Sequence, residues 1–185
     1  CIRDREEGDR LLDAEIVIQA IGVIVAGFET TIGLIGNGAR ALIDHPSQMA
    51  LLRSKPDLLN NCVEEALRYD TPILFNWRVL TEPYRLGEVV IPEDAVIWQM
   101  LACANRDPQQ FDRPDEFLID REDVAHQRFG GGSHFCLGNM LAKVEGRAAL
   151  GIFARETGGL TLEPGETTWS ESFFRVLGSY PITFK

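Results

Sequence analysis

Phe129-Gly130-Gly131-Gly132-Ser133-His134-Phe135-Cys136-Leu137-Gly138 is a glycine-loaded loop that ends in one cysteine and runs into a helix-forming stretch, Asn139 to Phe153. A thiolate is a soft, electron-rich metal ligand. A cysteine just ahead of a helix N-terminus gains backbone N–H donors and a favourable dipole that keep it ionised. Glycines on both sides let the backbone pass close to something flat. The chain has no cysteine pair at zinc spacing, no C-x-x-C for redox exchange and no C-x-x-C-H for covalent haem attachment. One thiolate facing a flat object suggests axial ligation of haem iron. The bland alternative is a glycine-rich turn around a buried structural cysteine.

The run Phe129-x-x-Gly132-x-His134-x-Cys136-x-Gly138, followed by Leu141-Ala142 and Glu145, resembles the haem-binding signature of the cytochrome P450 monooxygenases. Two further segments stand in the order that family requires. Ala26-Gly27-Phe28-Glu29-Thr30-Thr31 interrupts an apolar helical pattern from about Leu12 to Ile43 and resembles the family's oxygen-activation motif. Reductive splitting of dioxygen needs two protons on the outer oxygen, so a hydroxyl and a carboxylate beside the iron have a clear use. The resemblance gives these roles to Thr30 and Glu29. Thr30 can also bond back to a carbonyl one turn earlier and open the helix. Phe28 puts a bulky ring in this motif; facing the iron it would narrow the pocket, facing another helix it would only pack.

The second segment is Glu65-x-x-Arg68, whose spacing puts both side chains on one helix face. By itself such a pair is an ordinary surface feature of little energetic worth. The resemblance implies a buried network completed by Arg121, in Pro114-x-x-Phe117-x-x-x-Arg121, that holds the cysteine loop against the core. Asn105-Arg106-Asp107-Pro108 fits the same pattern.

The family likeness assigns the remaining roles. Cys136 is expected to be the proximal ligand of haem b (iron protoporphyrin IX), shielded by Phe129. Gly130, Gly132 and Gly138 would let backbone N–H groups approach the sulfur and tune its potential. Arg78 and His134 match positions that contact the haem propionates. Ala26 and Gly27 offer small surfaces where oxygen and substrate must fit. Val25, Leu74 and Phe174 are candidate pocket residues, all apolar, which implies a small lipophilic substrate. The implied reaction is insertion of one oxygen atom of O2, with electrons from a separate donor. The compact haem loop and acidic composition look like bacterial members, which implies a ferredoxin-type donor. A peroxide-driven peroxygenase and an inactive haem-binding fragment are the competing functions; Glu29-Thr30 argues against the first.

Composition narrows the partners. The chain has 185 residues and a formal net charge of −10, from 28 acidic and 18 basic residues, with no basic run, which argues against nucleic acid. Ile16 to Phe28 is near-apolar but contains Gln19 and ends at Glu29, short of the ~20 residues that span a bilayer. A buried helix without a transmembrane segment is therefore expected. Cys1, Cys62, Cys103 and Cys136 do not form a disulfide framework, which suits a cytoplasmic setting. The family's catalytic domain is roughly twice this length. The chain begins at Cys1 without methionine and reads as one partial domain, residues 1–185, the C-terminal part of that domain.

Periodicity gives the expected elements. Helices are expected over Leu12 to Ile43, Pro46 to Lys55, Pro56 to Tyr69 and Asn139 to about Glu156, the last from Leu141, Val144, Ala148 and Ile152. Leu74 to Leu80, Tyr84 to Leu86, Val89 to Ile91 and Ala95 to Gln99 have strand composition, with Gly87-Glu88 and Pro92-Glu93-Asp94 as turns. Asn105 to Arg128 reads as an irregular loop with one or two helical turns. After Gly158-Gly159, strands are expected at Leu160 to Glu163, Phe173 to Leu177 and Ile182 to Phe184. The fold class is mainly α with small β-sheets, matching the C-terminal half of the cytochrome P450 fold.

Overall fold

The computed structural model describes residues 10–122, 126, 129–158, 160–162 and 166–184. Cys1, Arg128, Gly159 and Glu163, which enter the sequence reading above, lie outside the described residues.

Helix α1 spans Asp13–Asp44, and its start is fixed by Glu15, whose carboxylate accepts the Leu12 N–H at 2.7 Å. His45 ends it, donating its backbone N–H to Ala41 O at 3.0 Å, and Pro46 opens α2, Pro46–Ser54. A 3₁₀ turn at Pro56–Leu58 leads into α3, Leu59–Tyr69. Residues Leu34, Gly38, Ala41 and Leu42 recur on one face of α1 and meet Cys62, Val63, Ala66 and Leu67 of α3. Helix α5, Asn139–Glu156, completes this core with Gly146, Leu150 and Ala154. Leu42 and Leu150 are fully buried, each worth about 1.5–3 kcal/mol of apolar transfer.

Small residues set the spacing. A Cβ on Gly38 would lie 2.9 Å from Leu150 Cδ1 and 3.3 Å from Ala66 Cβ, and one on Gly146 would lie 3.0 Å from Leu34 Cδ2. Glycine at both positions lets α1 and α5 approach until Leu34 and Leu150 fill the gap.

Among the described residues, four antiparallel two-stranded sheets accompany the helices. Strand β1 (Asn76–Val79) pairs with β4 (Val96–Gln99), placing Trp77 opposite Trp98 and Asn76 opposite Gln99. Strands β2 (Tyr84–Leu86) and β3 (Val89–Ile91) form a hairpin turned by Gly87 at φ 58°. Helix α4, Leu101–Ala104, follows β4. In the tail, β5 (Leu160–Leu162) pairs with β8 (Ile182–Phe184), and β6 (Thr168–Trp169) with β7 (Leu177–Ser179).

Several expectations need correction. Phe173 to Leu177 is not a strand: residues 171–174 form a bend, and β7 begins only at Leu177. Among the described residues, 105–122 are the expected irregular run of turns and bends, with one helical turn where Phe111 N–H donates to Asp107 O at 2.9 Å; the short helix α4 precedes them. The stripe Leu141, Val144 and Ile152 that marks α5 is exposed, because the buried face is the one carrying Gly146, Leu150 and Ala154. Helix α1 passes through residues 26–31 without a break. Its first half is not buried: Val17, Ile18, Ile21, Ile24 and Phe28 are all more than half exposed, since α3 and α5 cover only the second half. By length and composition α1 could also cross a membrane, with a mean hydropathy of 1.8 over its most apolar window. The apolar pattern continues past Glu29 into the second half of the helix, so it is longer than the expected Ile16 to Phe28.

Candidate functional site

The cysteine loop is built from left-handed glycines. Gly130 at φ 69° and Gly132 at φ 63° reverse the chain, a backbone region that side-chain-bearing residues rarely adopt. The reversal is closed by Cys136 N–H donating to Phe129 O at 2.9 Å and by Phe135 N–H donating to Gly132 O at 3.1 Å. Asn139 Nδ2 then caps the Cys136 carbonyl at 2.8 Å as α5 begins. Gly138 stands at φ −84° with open space where a Cβ would be, so the local backbone makes no demand for glycine there. Among the described residues no N–H donates to Cys136 Sγ; the Cys136 amide itself is engaged with Phe129 O.

Behind the loop lies a cavity of about 840 Å³. Phe129, Gly130, His134 and Cys136 line it from the cysteine loop, Ala26 and Thr30 from α1, and Arg78 from β1. The period of two in the sheet explains Arg78: Asn76, Arg78 and the cross-strand Gln99 line the cavity, whereas Trp77 and Trp98 stand on the opposite face with Phe75 and Phe173. Phe174 also lines it, while Val25 and Leu74 do not; Val25 is on the exposed face of α1. Gly27 and Phe28 do not line it either, and Phe28 is 65% exposed, so its ring neither narrows the cavity nor packs on a helix. Sequence reasoning missed Asn76, Gln99 and Gly131. Strand alternation from Arg78 would have found the first, and the run of three glycines the last.

Glu29 and Thr30 are neighbours with different partners. Thr30 Oγ1 donates to Ala26 O at 2.5 Å, satisfying the hydroxyl within the helix without opening it. Glu29 Oε2 accepts from Ser172 Oγ at 2.8 Å, a contact with the tail that the sequence did not suggest. Glu29 is not among the residues lining the cavity.

The structure brings Glu65, Arg68 and Arg121 together in the interior. Arg68 Nε and Nη2 grip Glu65 at 2.7 and 2.9 Å, and Arg121 Nε reaches Glu65 Oε2 at 3.2 Å. The remaining donors hold the 105–121 segment: Arg68 binds the carbonyls of Asn105, Pro114 and Glu116, and Arg121 those of Asp112, Arg113 and Glu116. Leu118 N–H donates to Glu65 Oε1 at 2.9 Å. Arg106 ties the same segment down, with Asp115 and Tyr69 O each at 2.8 Å. A second cluster was not foreseen. Asp70 pairs with Arg40 at 3.2 Å and with Arg175, and both guanidiniums lie over the Trp169 ring.

These donors fit haem. Among the described residues no three His, Cys, Asp or Glu side chains converge, so a metal bound by Cys136 must bring its other ligands with it, as a porphyrin does. Arg78 and His134 on the same cavity supply cationic or donor groups suited to two propionates.

The Cytochrome P450 family profile matches residues 1–156. Cytochrome P450 107B1 of Saccharopolyspora erythraea is 40% identical over 181 residues, covering 96% of this chain and 45% of that protein. Vitamin D(3) 25-hydroxylase of Pseudonocardia autotrophica is 41% identical over 182 residues, covering 96% of this chain and 45% of that protein. The post-tailoring hydroxylase HmtN of himastatin biosynthesis superposes with a TM-score of 0.93 at 32% identity, over all of this chain and 50% of its own. The chain belongs to the cytochrome P450 family, whose members carry haem b. It spans about half the length of the relatives it matches.

Proposed function

We propose that the protein containing this chain is a haem-thiolate monooxygenase, which inserts one oxygen atom of O2 into a lipophilic substrate while two electrons and two protons reduce the other atom to water. The observation that carries this reading is that Cys136, Thr30, Arg78 and His134 line one cavity. Family membership and relatives with hydroxylase and monooxygenase names support it.

Bound haem supplies the iron at which dioxygen is reduced. Cys136 would hold the iron by its thiolate, and Phe129 would shield that sulfur from water. Arg78 and His134 would hold the propionates. From α1, the small side chain of Ala26 would leave room for oxygen and substrate, while Gly27 is not among the residues lining the cavity. Thr30 would hold a water by its hydroxyl, releasing Ala26 O as it does so, and Glu29, its neighbour outside the cavity lining, would pass protons to that water from the Ser172 side. Glu65, Arg68 and Arg121 act structurally, fixing the loop ahead of the cysteine. Apolar lining from Leu34, Ile73, Met100 and Phe174 suits a lipophilic substrate. A ferredoxin-type protein donates the electrons, the setting is cytoplasmic, and a further part of the catalytic domain covers the exposed half of α1.

The test is the spectrum of the full-length protein. Reduced and exposed to carbon monoxide, it is expected to show the red-shifted Soret band of a thiolate ligand, and Cys136→Ala to lose it. A nitrogen-ligated spectrum in the parent overturns the reading. With Thr30→Ala, electron consumption is expected to continue while product falls and peroxide rises; unchanged coupling removes Thr30 from proton delivery.

A further inference from the structure

We propose that Ser172 is a positioning residue for Glu29 and that it ties this carboxylate to the cavity wall through Phe174. The inference rests on Glu29 being the proton-relay acid. Ser172 Oγ lies 2.8 Å from Glu29 Oε2 and 3.0 Å from the Phe174 amide nitrogen. The amide can only donate, so the hydroxyl accepts there and its single proton goes to the carboxylate. Amide, hydroxyl and carboxylate form a chain with one direction, each bond polarising the next.

Glu29 sits on α1 and Ser172 in the tail, 143 residues away, so this contact joins two elements that no sequence neighbour holds together. The other end of the bend is fixed independently. Arg175 N–H donates to Pro72 O at 2.8 Å, and its carbonyl accepts from Asn37 Nδ2 at 3.0 Å. The Arg175 guanidinium pairs with Asp70 and lies 3.6 Å from the Trp169 ring centroid. Phe174 is therefore held at its carbonyl by Val176 N–H at 3.0 Å and Ser170 Oγ at 3.5 Å, beside the anchor at Arg175, and at its amide by the Ser172 hydroxyl, and it lines the cavity. A substrate that displaces Phe174 strains its amide bond to Ser172, and through it the hold on Glu29. The wall that meets substrate and the acid that supplies protons move as one unit.

The test is a cycle of Ser172→Ala, Ser172→Thr, Glu29→Ala and the double variant Ser172→Ala/Glu29→Ala in the haem-loaded full-length enzyme. An unchanged carbon monoxide band certifies the fold of each. One readout is product formed per electron pair consumed; the other, made without turnover, is amide hydrogen exchange at Phe174. Ser172→Ala is expected to lower coupling on the order of five-fold, the change that loss of an ordinary hydrogen bond produces. Ser172→Thr keeps the hydroxyl and restores coupling, and Ser172→Ala adds nothing once Glu29 is alanine. Glu29→Ala is expected to accelerate exchange at Phe174. The proposal is overturned if Ser172→Ala uncouples equally with and without Glu29, or if Phe174 exchange ignores Glu29→Ala. If Glu29→Ala leaves coupling intact, the relay reading itself falls, and the exchange result still decides whether Ser172 links carboxylate and wall.

Discussion

Replacing Glu65 by alanine removes the one carboxylate that, among the described residues, faces two interior guanidiniums. Arg68 is 1% exposed and Arg121 9%. Each keeps its backbone carbonyl acceptors, but no countercharge remains within the cluster, and Leu118 N–H loses its acceptor. Breaking a buried pair from one side costs about 3–5 kcal/mol because a charge is stranded. At roughly 2–4 °C per kcal/mol for a chain of this size, the expected fall in Tm is about 6–20 °C. The same guanidiniums hold the 105–121 carbonyls, so Arg68→Met should be comparably costly, and swapping the triad for apolar residues should not restore stability. The assay is thermal unfolding followed by circular dichroism, with hydrogen exchange across 105–121. A Glu65→Ala variant that melts within about 2 °C of the parent refutes the argument, since that corresponds to no more than about 1 kcal/mol.

Burial, with Glu65 nearby, raises the Cys62 thiol from its ordinary 9.0 to about 12. Between those values the unfolded chain has lost a proton that the native one keeps, so stability falls as pH rises above 9, and iodoacetamide labels exposed Cys103 well before Cys62 by mass spectrometry. Gly38→Ala forces a Cβ to 2.9 Å from Leu150 and is expected to cost about 1–3 kcal/mol in chemical denaturation, whereas Gly36→Ala, at 3.7 Å from Leu177, is expected to gain up to about 1 kcal/mol. Gly132→Ala puts a side chain at φ 63° and is expected to lower stability by about 1–2 kcal/mol, while Gly138→Ala, with open space and negative φ, leaves the melt of the isolated chain unchanged.

The helices were legible because their information is local: Leu34, Gly38, Ala41 and Leu42 repeat at helical spacing whatever they meet. The Glu65-x-x-Arg68 pair was legible as one face of α3, but its partner came from family likeness, since nothing local links it to Arg121 across 56 positions. The tail misled for a related reason. Phe173 and Phe174 have strand composition, yet their course is set by Arg175 pinned to Asp70 and Pro72, contacts 105 and 103 residues away. Family position points to Val25 and Leu74 as pocket residues, but position beside a motif does not fix which side chain faces the cavity, and neither lines it. Ser172 carried no signal, because a serine acquires meaning only from the carboxylate that folding delivers to it.

The bare first half of α1 has a colloidal consequence. Val17, Ile18, Ile21, Ile24 and Phe28 form a strip of hydrocarbon on a protein whose net charge of −10 otherwise keeps molecules apart. Salt weakens that repulsion and leaves the strip equally sticky. The isolated chain should therefore be soluble at low ionic strength and cluster as sodium chloride is added, in light scattering, and Ile21→Lys with Ile24→Glu should abolish the clustering without lowering the melting point.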